Sequence, residues 1–336
     1  MSSDAKLQKV TLGTDWIDLS FGEPKVVMQA MFRQLNRVGT TFKMPDMYDL
    51  NKWEYQPAAG NKDLVELLEN KYGAKVVVCN GAKQALAASL GSFQKNGIRS
   101  VFYETPYYPA NPGFVHSAGL SWAPFDRADS SLITSPNNPD GKNLTNIQLV
   151  GMQTQKPMIH DAAYYTPVYL PEGQLPIPLG RMQIYSMSKM YGLSGLRVGY
   201  IVCHDEKFYN DAVNFMEETT AGVSTASQQV ALEIERFFEK REYLEEFEQE
   251  ARDAIKAARQ ELLALDHDVL IPVPSDANSM FAWCIAGPAL DATSAKVYFL
   301  DGSIFGRPGM MRLNIAHPID TIRQAVERLN LCKIRS

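Results

Sequence analysis

One lysine of the sequence, Lys189, has neighbours that suit a nucleophilic amine. It lies in the stretch SMSKMYGLSGLRVGY, residues 186–200, among serines and glycines and eight residues before Arg197. A lysine attacks an aldehyde only as the neutral amine, and burial or a nearby cation such as Arg197 lowers the pKa of the amine. The hydroxyls of Ser186 and Ser188 can bind an anion, and the glycines let the backbone approach a ligand closely. The stretch therefore predicts an amine that attacks an aldehyde beside a bound phosphate, with an ordinary turn carrying incidental charges as the alternative.

A second stretch, VVVCNGAKQAL, has the form of a strand, a tight turn and the start of a helix. Backbone N–H groups at a helix N-terminus bind phosphate with the help of the helix dipole. Gly81, Ala82 and Lys83 are the residues that would form such a cradle. The pattern is not that of a Walker loop, and an ordinary turn between a strand and a helix is the alternative.

A carboxylate, Asp161, stands at the end of the apolar run in PMIHDAAYY, and Tyr164 follows three residues later. The carboxyl ends of parallel strands are where ligands of such sheets bind. Asp161 is therefore a candidate site residue, and Tyr164 is a candidate hydrogen-bond donor beside it. A helix-capping aspartate and a packed tyrosine are the alternatives.

An arginine, Arg312, interrupts the late apolar run MMRLNIA. The alternation of a strand places Arg312 and Asn314 on one face and the apolar residues on the other. The planar fork of an arginine forms two parallel hydrogen bonds with a carboxylate, so Arg312 predicts an anionic partner. An exposed arginine on an edge strand is the alternative, and Arg307 is a weaker second candidate.

The composition restricts the classes of function. The chain has 336 residues, 45% hydrophobic and 21% charged, with a net charge of −5, which gives no electrostatic reason to bind nucleic acid or an anionic membrane. No apolar run approaches the roughly 18 residues of a membrane span, and the start MSSDAKLQKV lacks the apolar core of a signal peptide. We therefore expect a cytoplasmic protein. The cysteines are far apart in the sequence and predict neither disulfides nor a metal site: Cys79, Cys203, Cys284 and Cys332.

Short apolar runs alternate with helical or loop segments between residues 76 and 203. This pattern predicts an α/β fold with a mostly parallel central sheet covered by helices. Residues 226–265 contain no Gly or Pro and predict one or two long helices. We place a large domain at residues 25–205 and a smaller α+β domain at 1–24 and 206–336. The predicted strands are 76–79, 100–104, 132–134, 157–161, 183–187 and 199–203, then 279–286 and 310–316, before a closing helix near 320–329.

These motifs together resemble the pyridoxal-phosphate-dependent aminotransferases of class I and II, which share the aspartate aminotransferase fold, the type I fold of such enzymes. The family has Ser-x-x-Lys or Ser-x-Ser-Lys, two glycines and an arginine eight residues after the lysine, and Ser186, Ser188, Lys189 and Arg197 match it. The resemblance implies that Lys189 holds the cofactor aldehyde as an internal aldimine. It also implies that Ser186 and Arg197 bind the phosphate and that Ser188 contacts the cofactor. GAKQAL is similar to the family's phosphate loop.

The family's contacts to the cofactor ring also have counterparts here. The pattern Asp-x-Ala-Tyr implies that Asp161 keeps the ring nitrogen protonated and that Tyr164 binds the phenolic oxygen. In SPNNPDG the match to Asn-Pro-x-Gly makes Asn138 the second donor to that oxygen, with Asn137 as the alternative. The resemblance thus makes Lys189, Asp161 and Tyr164 the catalytic residues.

Three further segments resemble parts of the family's site. In ETPYYPANP the aromatic residue that stacks on the ring is identified as Tyr108, with Tyr107 as the alternative. LSFGEP is similar to the strip that places Gly22 near the substrate, where Arg312 would bind the α-carboxylate and Asn138 would also contact the substrate. KWEYQPAAGNKDL is similar to the segment whose tyrosine, here Tyr55, reaches the phosphate of a neighbouring subunit. That match implies a homodimer with shared active sites.

The resemblance implies transfer of an amino group from an L-amino acid to a 2-oxo acid, with Lys189 moving the Cα proton. Tyrosines near the site and the lack of an identifiable second arginine favour neutral or aromatic donors. The motifs SPNNPDG and DAAYYTPVY are also similar to the alliinase and tryptophan-aminotransferase-related branch. A β-eliminating lyase, or other carbanion chemistry on an amino acid, is therefore the alternative, and a non-enzymatic role on the same fold is a second one.

Overall fold

The structure is a computed structural model that describes residues 13–40 and 54–332. Parts of the predicted domains that fall on residues 1–12, 41–53 and 333–336 lie outside the described residues. The strands are β1 Ile17–Asp18, β2 Lys75–Cys79, β3 Ser100–Phe102, β4 Ser121–Trp122, β5 Ser130–Thr134, β6 Met158–Asp161, β7 Met182–Ser186, β8 Gly199–Cys203, β9 Leu270–Pro272, β10 Phe281–Ala286, β11 Val297–Tyr298, β12 Leu300–Asp301 and β13 Met310–Asn314.

Helices pack against the strands of the sheet, as a mostly parallel sheet requires. The α-helices are α1 Lys25–Val38, α2 Lys62–Tyr72, α3 Ala82–Lys95, α4 Asn111–Ser117, α5 Asn146–Gln153, α6 Met187–Met190, α7 Glu206–Thr220, α8 Thr225–Phe237, α9 Arg241–Glu261, α10 Ala292–Ala295 and α11 Ile319–Leu331.

The central sheet has the strand order β2-β8-β7-β6-β5-β3-β4. Strands β3 to β7 run parallel to one another, whereas β8 is antiparallel to both β2 and β7. Strands β7 and β8 are buried along their whole length, which explains their continuous apolar sequences. The six strands predicted between residues 76 and 203 are found here. The seventh, β4, has only two residues and gave no pattern in the sequence.

A four-stranded antiparallel sheet, β12-β13-β10-β9, follows in the last third of the chain. The short strand β1 pairs in parallel with β11 and so brings the N-terminal segment to this part of the molecule. The predicted helical region 226–265 forms two helices, α8 and α9. Phe238 lies between them and packs against Tyr191 and Phe247, so tertiary packing sets the break without Gly or Pro.

Helix α7 follows the proposed domain boundary at residue 205 directly. It packs against α3 and β2, which belong to the central sheet and its cover. Its N-terminus is capped by the side chain of Asp205, which accepts a hydrogen bond from the backbone N–H of Lys207. The boundary stays a prediction, and the packing of α7 joins the start of the second segment to the first. Within the described residues, no helix is both long and apolar enough to cross a membrane.

Candidate active site

A cavity of about 350 Å³ opens at the carboxyl ends of the parallel strands. Strands β5, β6 and β7 are neighbours, and their last residues, Thr134, Asp161 and Ser186, all face it. The remaining walls come from α3, from the loop after α6, from the N-terminal strip and from strands β10 and β13. The lining residues are Phe21, Gly22, Glu23, Ala82, Lys83, Leu86, Tyr108, Thr134, Asn138, Asp161, Ala163, Tyr164, Ser186, Ser188, Lys189, Ser194, Arg197, Phe281 and Arg312.

Lys189 projects into this cavity from α6, the single-turn helix that follows β7. Its Nζ donates a hydrogen bond to the carbonyl oxygen of Gly22. Its own carbonyl oxygen accepts a hydrogen bond from the hydroxyl of Tyr169 at 2.8 Å. Tyr169 also packs edge-on against Tyr164, with ring centroids 5.6 Å apart. Hydrogen bonds therefore hold Lys189 both at its backbone carbonyl and at its side-chain amine.

The surroundings of Lys189 favour its neutral form. Burial, the largest cause, together with the cations Arg312 and Arg197, lowers the pKa of the amine to about 8, whereas Glu23 and Asp161 act in the opposite direction. A lysine with this pKa is partly neutral near physiological pH. It meets the electrostatic requirement that the sequence motif predicted for a nucleophilic amine.

Asp161 is held by two donors at the end of β6. Its Oδ1 accepts the backbone N–H of Ala163 at 3.2 Å, and its Oδ2 accepts the hydroxyl of Thr134 at 3.4 Å. Burial nevertheless raises the pKa of the carboxyl group to about 6. The ionised form of such a carboxyl group is strongly stabilised when a cation binds next to it. Thr134, directly opposite Asp161 in the parallel register, was not predicted from the sequence.

A chain of hydrogen bonds joins Tyr164 to Arg312. Asn138 Nδ2 donates to the Tyr164 hydroxyl at 3.4 Å, and Asn138 Oδ1 accepts from Arg312 Nη1 at 2.9 Å. Arg312 Nη2 donates to the carbonyl oxygen of Ser20 at 2.5 Å. Burial lowers the pKa of Arg312 to about 10 and raises that of Tyr164. Arg312 is only 2% exposed, and its Nε is buried without a hydrogen-bond partner in the described structure. It therefore retains a donor for an anion.

The N-terminus of α3, where the sequence predicts an anion cradle, lies beside Arg197. Arg197 donates from Nη1 to the carbonyl of Ser194 at 2.8 Å and from Nη2 to that of Asn80 at 3.3 Å. Gly81 has φ +77°, and a Cβ there would lie 2.7 Å from Arg197 Nη2. Gly81 itself does not line the cavity, but its missing side chain leaves room for the guanidinium. A Cβ on Gly199 would likewise lie 2.8 Å from the backbone nitrogen of Ala82.

Of the two tyrosines after Pro106, the structure places Tyr108 on the cavity wall. Burial, the largest cause, raises its pKa to about 12. Tyr107 lies outside the lining and packs edge-on against Tyr103, with ring centroids 5.3 Å apart. The geometry therefore favours Tyr108 for stacking on a ligand ring.

The other two alternatives also lie outside the lining. Asn137 donates to the carbonyl of Pro106 at 3.0 Å and to Asp140 Oδ1 at 2.9 Å, so its amide holds the turn together. Arg307 is exposed and donates to the carbonyl of Thr105 at 3.3 Å. The side chain of Tyr55 is 91% exposed and does not reach this chain's own cavity.

Several lining residues were missed in the sequence. Phe281 lies in a strand that was predicted, and its ring is 4.1 Å from the Arg312 guanidinium carbon. A Cβ on Gly22 would lie 3.4 Å from both Phe281 Cζ and Lys189 Nζ, so the strip backbone passes close to both residues. The alternation of MFAWC could have placed Phe281 on one face, but nothing local showed which face met the cavity. Phe21, Glu23, Leu86 and Ser194 were also missed, because they lie in the N-terminal strip, in helix α3 and in the turn after α6, where strand alternation gives no guidance.

A model of the family described as "Aminotransferase class I and II" matches residues 14–329. The chain belongs to the class I and II aminotransferase family. Family members depend on pyridoxal phosphate, so the predicted family and cofactor are confirmed. The predicted fold is confirmed by a solved structure, a double mutant of Thermus thermophilus aspartate aminotransferase. It has a TM-score of 0.76 at 22% identity and covers 95% of this chain and 92% of that one.

The names of two curated relatives indicate different reactions. Tryptophan aminotransferase-related protein 2 of Arabidopsis thaliana is 29% identical over 241 residues, 63% of this chain and 52% of that protein. Alliin lyase of Allium cepa var. aggregatum is 31% identical over 146 residues, 40% of this chain and 31% of that protein. The chain thus spans about half the length of the first of these relatives, and less of the second.

The donor set of the cavity fits pyridoxal phosphate. A helix N-terminus, with a glycine where a side chain would displace Arg197, suits the phosphate. Asp161, which forms no salt bridge within the described part of the chain, suits a protonated ring nitrogen. Lys189 supplies an amine of lowered pKa for the aldehyde.

Proposed function

We propose that this chain is an aminotransferase that moves the amino group of an L-amino acid with a neutral or aromatic side chain to a 2-oxo acid. The observation that carries the proposal is that the Lys189 amine, the Asp161 carboxylate and the buried Arg312 guanidinium face one cavity. These three groups correspond to the three needs of the reaction: an amine for the cofactor, an anion for its ring and a cation for the substrate's α-carboxylate.

The proposed cofactor contacts follow from the positions of the side chains. Arg197, Ser186, Ser188 and the backbone at the start of α3, Gly81–Lys83, would hold the phosphate. Asp161 would hold the ring nitrogen, while Tyr164 and Asn138 would hold the phenolic oxygen, and Tyr108 would cover one face of the ring. When bound, pyridoxal phosphate supplies an aldehyde that bonds to amines and a ring that withdraws electrons from the substrate's Cα.

The chain's own residues then have distinct tasks. Arg312 binds the α-carboxylate through its fork and its unpartnered Nε, with Asn138 and Gly22 on either side of it. Lys189 Nζ would accept the Cα proton of a substrate held by Arg312 and would later release it again. A pKa of about 8 allows the same amine to do both near neutral pH. Asp161, in its ionised form, would hold a proton on the ring nitrogen.

Neutral or aromatic donors are favoured by the charges of the wall. Among the described lining residues the cations are Lys83, Lys189, Arg197 and Arg312. Lys83 is exposed at the rim, and the other three have proposed roles. This leaves no buried cation of this chain for a second substrate carboxylate, whereas Phe21, Phe281 and Tyr108 offer apolar surface.

A panel of amino donors tested with pyruvate and 2-oxoglutarate examines this function directly. The proposal expects a 2-oxo acid product whose formation depends on the added acceptor. Pyruvate and ammonia, or a thiol, formed without an acceptor would instead favour a β-eliminating lyase. The alliin lyase relative is the observation that supports this second candidate.

We also propose a homodimer in which Tyr55 reaches the phosphate of the partner's cofactor. Its nearly complete exposure in the single chain supports this assignment. Coexpression of Tyr55→Ala with Lys189→Ala tests it, because a mixed dimer keeps one intact site if the site is shared. Activity that neither variant has alone is expected, and its absence would contradict a shared site. A cytoplasmic location is proposed as well, supported by the four cysteines, which are all free thiols.

A further inference from the structure

Glu23 is a carboxylate on the cavity wall that the proposed mechanism does not use. It lies at the end of the N-terminal strip, directly after Gly22. The side chain of Asn314 on β13 fixes the strip, because its Nδ2 donates to the carbonyl of Phe21 at 2.7 Å and to that of Glu23 at 2.8 Å. Glu23 is thus half-buried on a well-held backbone.

The carboxylate of Glu23 has few interaction partners within the protein. Within the described residues it forms no salt bridge, and its Oε1 accepts a hydrogen bond from the Ser194 hydroxyl at 3.5 Å. It acts on the cavity nonetheless, since it opposes the lowering of the Lys189 pKa. A half-buried carboxylate of this kind repels a second anion and attracts a cation or a hydrogen-bond donor.

The other charges of the cavity have proposed roles, apart from Lys83, which is exposed at the rim. Asp161 faces the ring site, Arg197 the phosphate site and Arg312 the α-carboxylate site. The wall that remains for a substrate side chain is therefore aromatic, with Phe21 and Phe281, and carries one negative charge.

We propose that Glu23 is a specificity-determining residue that excludes substrates with a carboxylate in the side chain. It favours side chains that bring an N–H or O–H donor, or a positive charge, to an aromatic wall. The inference rests on the proposed function. Because donor and acceptor meet the same wall, it also predicts that pyruvate is a better acceptor than 2-oxoglutarate.

The first test compares glutamine with glutamate as donors, since the two differ only in the charged group. The wild-type protein is expected to favour glutamine in kcat/KM. In Glu23→Gln that preference should fall about tenfold, the size of effect that one nearby charge produces at a partly buried site. Glu327→Gln, an exposed glutamate on α11, is the matched control and should leave the preference unchanged. An unchanged preference in Glu23→Gln would overturn the inference.

A second test needs no turnover. Calorimetry of the cofactor-loaded protein with glutarate and with glutaramate, its monoamide, measures the same discrimination between unreactive molecules. The wild-type protein should bind glutaramate about tenfold more tightly, and Glu23→Gln should remove the difference. Glutarate bound as tightly as glutaramate by the wild-type protein would overturn the inference without any variant.

The two tests separate this inference from the proposed function. If the protein transaminates nothing but Glu23→Gln removes the glutaramate preference, the function is wrong and the role of Glu23 stands. If transamination occurs and neither preference depends on Glu23, only the role of Glu23 is wrong.

Discussion

Arg312 and Asn138 are joined by a 2.9 Å hydrogen bond although they are 174 residues apart in the sequence. One comes from strand β13 of the four-stranded sheet, and the other from the turn after β5 of the central sheet. Asn138 also donates to Tyr164. The proposed substrate-binding residue is thereby connected to two proposed ring contacts, so the geometry of the α-carboxylate site depends on how the two sheets pack.

Arg312→Lys should lower the catalytic efficiency, because it removes the hydrogen bond between Arg312 and Asn138. A lysine keeps the charge but loses the planar fork, the bond to Asn138 and the free Nε. We expect kcat/KM to fall about 10- to 100-fold, mainly through KM, the loss expected for hydrogen bonds to a charged group. Steady-state kinetics measure it, with Arg307→Lys as the control that should leave kcat/KM unaltered. Equal kinetics of Arg312→Lys and the wild-type protein would contradict the assignment.

Asp161→Asn should stabilise the cofactor-free protein at neutral pH. Burial raises the pKa of Asp161 from 3.8 to about 6, so the folded state binds more protons than the unfolded state between these values. The contribution of Asp161 to stability is therefore lost as pH rises from about 4 to about 6 and stays absent above that range. The cost of ionised Asp161 at pH 7 is at most about 3 kcal/mol.

Denaturant unfolding of the apoprotein at several values between about pH 4 and about pH 7 measures this linkage. The Asn variant should be more stable than the wild-type protein at neutral pH and should lose the difference at low pH. The same variant should bind the cofactor less tightly. A variant that is less stable at neutral pH would show that Asp161 stabilises the fold instead.

Gly81→Ala should weaken cofactor binding by displacing Arg197. Its Cβ would lie 2.7 Å from Arg197 Nη2, in a backbone conformation with φ +77°. Gly97, just beyond the other end of α3, has φ +84° but open space around a Cβ. Gly97→Ala therefore has the same backbone strain without the clash. We expect at least a roughly tenfold higher cofactor Kd for Gly81→Ala only, measured by fluorescence titration of the apoprotein. Equal cofactor Kd values for the two variants would contradict the assignment of Arg197 and the Gly81 turn to the phosphate site.

Glu235→Ala should destabilise the fold without touching the site. Glu235 is 3% exposed and accepts hydrogen bonds from Lys71 Nζ at 2.8 Å and from the Tyr191 hydroxyl at 3.2 Å. Removing it leaves the Tyr191 hydroxyl without an acceptor and Lys71, whose side chain is 35% exposed, without its partner, at a cost of about 1 to 3 kcal/mol. Glu245→Ala, which breaks the exposed pair with Arg241, should cause no measurable loss. Chemical denaturation measures the free energy of unfolding of both variants. Equal values for Glu235→Ala and Glu245→Ala would contradict this account.

The sequence predicted the parts of the site that lie within short motifs. Lys189 and Arg197 lie on one turn-rich segment, and Asp161 follows a strand whose apolar run is unmistakable. Each of these residues has a local sequence pattern. Their proximity was also predictable, because parallel strands bring their carboxyl ends to one edge of the sheet irrespective of the intervening loops. Arg312 was predictable because a charged residue in a buried strand needs a partner.

Residues that depend on the packing of separate segments were not predictable. Thr134 meets Asp161 only through the register of β5 and β6. Phe281 and Glu23 reach the cavity because β10 packs against Tyr164 and the N-terminal strip is hydrogen-bonded to Lys189. The break between α8 and α9 had no helix-breaking residue to signal it, since aromatic packing around Phe238 determines it.

The covalent role of Lys189 is tested most directly by borohydride reduction of the cofactor-loaded protein, followed by mass spectrometry of its peptides. The account predicts that pyridoxal phosphate becomes irreversibly attached to Lys189 and to no other lysine. It also predicts that Lys189→Ala, although still able to bind the cofactor, retains none after denaturation. Attachment at Lys83 or elsewhere, or no attachment to the wild-type protein, would contradict it.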